Sequence, residues 1–206
     1  MTSKKPARRP ALTHERIVDA AAALVDREGA EALSARRLAF ELGVEAMSLY
    51  HHVPSMHELL NQVVDQALGQ IPLPAPDAGA PRKLLSGMLR GYLKLSEERP
   101  HAFQVVSSRR WRTPAEFAYQ ARMVEVLIAA GLTPRQALRG ARLLVVYING
   151  AGLGLVGWML DTEKPPLQQQ ASEAVKKVMR FSTLDALRED LNSGLDLMLD
   201  AVLAGR

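Results

Sequence analysis

Few of the 206 residues in this chain have types and spacing that suit covalent chemistry. Cysteine is absent, which removes thiol catalysis, cysteine-held metals and a disulfide scaffold. Of the five histidines, four (His14, His51, His52 and His57) crowd into the N-terminal part. No nucleophile is spaced to meet a base, and no His–carboxylate cluster has metal-ligand spacing in the C-terminal half. No catalytic residue, metal or cofactor is therefore assigned. One fingerprint does suggest chemistry. Gly152-Leu153-Gly154-Leu155-Val156-Gly157 is a GxGxxG, and it follows the strand-like run Leu143–Ile148. Glu173 stands about twenty residues on, as in dinucleotide-binding enzymes.

Two features of the flanks argue against that enzyme. A Rossmann unit needs further parallel strands, and neither side supplies them. The same residues also continue a helical pattern that opens at Thr133. As a helix the segment is costly, since each interior Gly loses about 1 kcal/mol relative to Ala. Close helix approach, room for a ligand or a kink could offset that cost, and Gly150 and Gly154 on one face favour close approach. The run Leu143–Leu160 is also free of charge, near the lower length limit for a membrane span. Asn149 and the glycines make a buried helix the better reading, and no membrane is expected.

Charge is distributed unevenly. The chain holds 26 Lys+Arg and 22 Asp+Glu, for a formal net charge of +4. Residues 1–12 contain Lys4, Lys5, Arg8 and Arg9 and no acid, which predicts a disordered basic arm. Such an arm could track a phosphate backbone or serve only as a solvated tail. It lacks the apolar run of a signal peptide. Residues 13–70 carry 4 basic and 9 acidic groups, and residues 82–142 carry 12 basic and 4 acidic. Arg109-Arg110-Trp111-Arg112 is the densest basic stretch, open to two readings, a solvated face or an anion site.

The elements that must position these residues are helical by apolar spacing. Ile17, Ala21, Leu24 and Val25 mark one helix between Thr13 and Gly29. Short helices follow at 34–42 and about 46–51, and Ser55 with Glu58 opens another. The proline-rich segment 71–81 predicts a linker between domains at 13–70 and 82–206. Beyond it, Leu85, Met88, Leu89 and Tyr92 share a helical face, and Thr113-Pro114 and Thr133-Pro134 each open a helix. A weak helix over 171–180 precedes a last one from about Ser182. Leu184, Leu187, Leu191, Leu195, Met198 and Val202 give that last helix a coiled-coil-like seam. The fold class is all-α, with a helix-turn-helix domain joined to a C-terminal helical bundle.

Residues 34–60 carry the strongest pattern. Ala39 is small where two helices must cross, and Gly43 follows four residues later, where the chain needs a left-handed conformation. Val44 and Leu49 would plug a small core behind the second short helix. This spacing suits a helix-turn-helix that offers its second helix to the major groove, or a plain three-helix bundle.

The run Leu33-Ser34-Ala35-Arg36-Arg37-Leu38-Ala39, followed by Leu42-Gly43-Val44-Glu45-Ala46-Met47-Ser48-Leu49-Tyr50-His51-His52-Val53, resembles the tetracycline-repressor (TetR) family. The likeness covers about residues 12–70. The helical layout of 82–204 and the ending Leu191–Asp200 are also similar. The resemblance implies a cytoplasmic homodimer that binds a palindromic operator in double-stranded DNA and leaves it when a small-molecule effector binds. It implies dimerisation through the helices at about 134–160 and 183–204. By position, Ser34 and Arg36 would touch phosphate or the groove edge. Ala46, Met47, Ser48 and His51 would face bases, and Tyr50 and His52 would hold phosphates. Tyr50 also fits a half-buried core aromatic, and the two histidines fit plain surface positions.

Two departures stand out. Met56 occupies the place of a family lysine, and the helix-turn-helix segment is acidic. The basic arm is therefore expected to supply phosphate contacts that the domain lacks. The C-terminal pocket that the resemblance implies has Met88, Tyr92, Phe103, Val106, Met123 and Tyr147 as candidate liners, with His101, Trp111 and Asn149 as polar points. Each of these also fits ordinary core packing. No histidine near Ile71–Leu73 could help to hold a metal–tetracycline chelate, so tetracycline is not expected as the effector.

Overall fold

The computed structural model describes residues 11–109, 112–161, 172–179 and 181–205. The expected arm and the whole Gln run at 168–170 fall mainly or wholly outside these residues. The helices are α1 (His14–Glu28), α2 (Ala35–Leu42), α3 (Ala46–Leu49), α4 (Met56–Leu68), α5 (Pro81–Glu98), α6 (Pro100–Ser108), α7 (Pro114–Ala129), α8 (Pro134–Leu160), α9 (Glu173–Met179) and α10 (Leu184–Ala204). A 3₁₀ turn at Ala30–Ala32 joins α1 to α2. Among the described residues there is no strand, and 143–148 is helical. The GxGxxG therefore lacks the strand–turn–helix setting of a dinucleotide site.

Local chemistry sets the helix ends. The side chains of Thr13, Ser34 and Thr183 accept backbone N–H bonds at the starts of α1, α2 and α10. Reciprocal capping boxes start α7 at Thr113–Glu116 and α8 at Thr133–Gln136. Gly43 ends α2 at φ 67° and ψ 37°, a left-handed conformation that a Cβ disfavours. The second short helix is a single turn, and residues 50–52 continue it only as a turn.

By contacts the chain divides into two units, between Val63 and Val64 inside α4. In the first, Ile17, Leu24, Leu38, Leu49, Leu59 and Val63 have no exposed surface. Arg37 pairs with Glu28 at 2.7 Å, and Arg27 pairs with Glu41, tying α1 to α2.

In the second unit α8 packs against α5, α6, α7 and α10. The proline-rich segment, read above as a linker, belongs to this unit: the Ile71 side chain is buried, and Arg122 donates to the carbonyls of Leu73 and Pro74. A charged network joins α5 to α10. Arg82 meets Asp200 at 2.6 Å, Arg90 meets Asp196 at 2.9 Å, and Arg188 meets Glu97 at 2.6 Å.

The expected burial of α8 holds on one side only. Leu144, Ile148, Ala151, Gly152, Leu155 and Val156 face inward. Leu143, Val146, Leu153 and Trp158 face outward and remain substantially exposed. By length and composition α8 is long and apolar enough to cross a membrane. The glycines divide in the same way. A Cβ on Gly152 would lie 2.2 Å from the Phe103 ring, whereas among the described residues nothing beyond the helix's own nearby backbone and chain neighbours comes within 4 Å of one on Gly150, Gly154 or Gly157.

Gly152→Ala should therefore destabilise the fold by about 1–3 kcal/mol through overpacking. Gly87, mid-helix in α5 and open on its outer side, gives the contrast: Gly87→Ala should stabilise by about 0.5–1 kcal/mol. Chemical denaturation of the two variants beside the parent checks both signs.

Candidate functional site

The first unit presents α2, the Gly43 turn and α3 on one surface. One turn of helix cannot persist alone, so α3 must be held from behind. Leu49 does this with no exposed surface, and the Val44 N–H bonds to the Ala39 carbonyl at 3.0 Å across the turn. Met47 then points outward at 70% exposure, with Ala46 and Ser48 half-buried beside it. Tyr50 is 43% exposed, and His51 and His52 are exposed. The ring Nδ1 of His14 lies 3.1 Å from the His52 carbonyl oxygen, which fastens the end of this turn to α1.

Ser34 and Arg36 stand at the start of α2. The Ser34 hydroxyl is engaged as the N-cap, accepting from the Arg37 N–H. The two adjacent arginines differ sharply. Arg37 is neutralised by Glu28 and Glu41, while Arg36 is exposed and makes no ion pair among the described residues. The acidic helix-turn-helix segment thus keeps Arg36 directed outward, where it can meet an anionic backbone. Phe40, which sequence reasoning passed over, stands one turn beyond Arg36 and is 83% exposed. The i to i+4 spacing from Arg36 was the signal that could have found it.

The second unit encloses a small cavity of about 30 Å³, room for a water-sized guest. Tyr92, Val106 and Asn149 line it, as the sequence suggested. Leu68, Arg109, Glu116, Tyr119, Gln120, Val145 and Ile148 complete the lining. Several expected liners do not reach it. Met88, Phe103 and Met123 are buried in the neighbouring core, with Phe103 under Gly152. His101 lies 3.3 Å from Gln104 on α6. Tyr147 projects from a different side of α8 than Ile148, donating to the Leu191 carbonyl at 2.7 Å on α10. Trp111 lies outside the described residues.

Polar groups and rings organise this cavity. The Tyr92 hydroxyl donates to Asn149 at 2.9 Å, and the Tyr119 hydroxyl donates to the Met88 carbonyl at 2.9 Å. The Tyr92 ring meets Phe103 edge-on at 5.2 Å and lies 5.5 Å from Tyr119. Arg109, expected within an exposed basic patch or anion site, is largely buried instead. Its Nε donates to Glu116 at 3.1 Å. Glu116 also accepts the backbone N–H groups of Arg112 and Thr113, so one carboxylate serves both the ion pair and the start of α7. Asp65, near the end of α4, accepts the Ala115 N–H at 3.0 Å at the same helix start.

Residues 17–63 match the family model described as bacterial regulatory proteins, tetR family. The HTH-type transcriptional repressor DrrR1 of Streptomyces coeruleorubidus is 35% identical over 154 residues, 73% of this chain and 57% of that protein. The match thus spans little more than half of that relative's length. Among solved structures, apo ActR from Streptomyces coelicolor superposes with a TM-score of 0.74 at 26% identity, covering 95% of this chain and 98% of that one. ActR in complex with actinorhodin gives a TM-score of 0.75 at 25% identity, covering 95% of this chain and 99% of that one.

The buried tyrosines make a pH prediction. Burial, and then the Glu116 charge, raises the pKa of Tyr92 above the usual phenol range. Burial, and then Tyr92, raises that of Tyr119. In the unfolded chain both ionise near pH 10. Above that pH the folded state holds more protons than the unfolded one, so stability must fall as pH rises. Denaturant titrations from pH 9 to 11 should show the decline, and Tyr92→Phe should make it shallower.

Proposed function

Because the chain belongs to the TetR family of bacterial regulatory proteins, we propose that it is a ligand-responsive, DNA-binding transcriptional repressor, not an enzyme. The observation that carries the reading is the first unit's surface. Leu38, Ala39 and Leu49 pack inward, so that Arg36, Met47, Tyr50 and His51 are presented outward. In this reading α3 enters the major groove of operator DNA. Ser34, Arg36, Tyr50 and His52 contact the backbone or groove edge, and Ala46, Met47, Ser48 and His51 face bases. Ala46 and Met47 offer apolar contact with thymine methyl groups in place of hydrogen bonds.

The effector enters the cavity beside Tyr92, Asn149 and the Arg109–Glu116 pair. The cavity must widen to admit anything larger than water, which suits a site that changes shape with occupancy. Effector and operator need only prefer different conformations of the regulator for one to displace the other. ActR, similar over nearly the whole chain, binds actinorhodin. Here the rings of Tyr92 and Tyr119 favour an aromatic effector with hydroxyl or carbonyl groups for Asn149 and Gln120.

The regulator acts as a homodimer in the cytoplasm, with no membrane contact. The outward side of α8 supports this, with Val146 at 73% exposure and Gly150, Gly154 and Gly157 open to a close partner. Leu197 of α10 is 72% exposed. Apolar surface of this extent marks an interface, and a two-fold dimer would match a palindrome.

Footprinting on DNA flanking its own gene should reveal a palindromic site. Deleting residues 2–9 should weaken binding and flatten the log–log salt slope, since the arm holds four cations. An unchanged slope would remove the arm from the interface, and no specific site at all would refute the regulator. Val146→Arg and Leu197→Arg should convert a dimer to monomer in sedimentation and abolish tight operator binding.

A further inference from the structure

We propose that Phe40 is a specificity-determining residue whose ring reads a thymine methyl group at the edge of the major groove. The inference rests on the DNA-binding reading above and extends it to a residue outside the assigned contacts.

Phe40 is 83% exposed, the most exposed large apolar side chain among the described residues. Its helix does not need it there. Leu38 and Ala39 supply the buried side of α2, and Phe40 lies on the opposite side, one turn from Arg36. The ring is not an isolated surface residue. An open groove along α2 reaches the start of α3, and Ser34, Arg36, Phe40, Val44 and Ala46 are among the residues that line it. Three of those five residues are DNA contacts in the reading above, so Phe40 shares a continuous surface with them.

Electrostatics around the ring point to the same occupant. Glu41, the adjacent acid, is paired with Arg27 and Arg37, which moderates its repulsion of a phosphate backbone. Arg36 is left to face that backbone. An apolar ring beside an unpaired cation fits a duplex, which offers methyl groups in the groove and phosphates at its rim. Ala46 offers no side-chain hydrogen bond to a base and Met47 only a weak thioether acceptor, so apolar contact adds to what the polar Ser48 and His51 can read on this surface. A flat, rigid ring suits such contact.

The test uses the full-length protein and its footprinted operator. Each thymine of a half-site is replaced in turn by 2′-deoxyuridine, which removes only the methyl group. Affinities are measured for the parent, Phe40→Ala and Met47→Ala. At one thymine per half-site the parent should lose about fourfold, the value of burying one methyl-sized group. Phe40→Ala should be indifferent at that position, while Met47→Ala still responds. The salt slope of Phe40→Ala should equal the parent's, because no charge is removed. Phe40→Leu and thermal melts guard against a folding defect. Binding by Phe40→Ala equal to the parent's, or an equal loss on operator and random DNA, would overturn the inference while leaving the regulator intact. A change in sedimentation with Phe40→Ala would assign the ring to a protein contact and also overturn it. Failure of the parent to bind any specific site would refute the regulator reading, and this inference with it.

Discussion

One turn of helix cannot hold itself, because forming it fixes several backbone dihedrals for a single hydrogen bond. The surface proposed to read DNA depends on such a turn. α3 has four residues, and everything it displays requires that neighbours fix its position. Leu49 anchors it from beneath, and the left-handed Gly43 sets its departure from α2. The His14 contact with the His52 carbonyl closes its far end. Because that support is apolar and backbone-mediated, the outward residues can vary without loss of the fold. Ala46 and Met47 illustrate this: neither belongs to the buried core.

In the second unit α8 has two sides with different needs. Its inner side is matched to the ring of Phe103 at Gly152 and to the cavity at Val145, Ile148 and Asn149. Its outer side carries Leu143, Val146, Leu153 and Trp158, which are exposed among the described residues. The glycines that would weaken an isolated helix therefore serve two purposes. Gly152 admits a ring of the same chain, and Gly150, Gly154 and Gly157 leave space outside it.

Charge follows a similar division. The acidic helix-turn-helix segment uses its carboxylates to join α1 to α2, and Arg36 remains outside that network. In the second unit the basic excess is partly taken up by the α5–α10 pairs, and Arg109 is drawn into the cavity wall by Glu116. Net charge alone says little about partners; which cations are already paired decides what remains for DNA.

The local features were legible from residue types. Thr13, Ser34, Thr113 and Thr133 cap helices through bonds spanning three residues, and Gly43 ends α2 through its own backbone freedom; the last helix, expected from about Ser182, is capped by Thr183. The helix-turn-helix spacing is of the same kind, and so is the family resemblance it carries. Only tertiary structure decided that Arg37 is paired and Arg36 is not, or that Tyr147 turns to α10 while Asn149 turns to the cavity. It also decided that Arg109 is largely covered and Phe40 exposed. Caps and turns are short-range interactions written within a few residues. Pairing and burial depend on residues distant in sequence, and helical periodicity cannot say which neighbour will cover a given face.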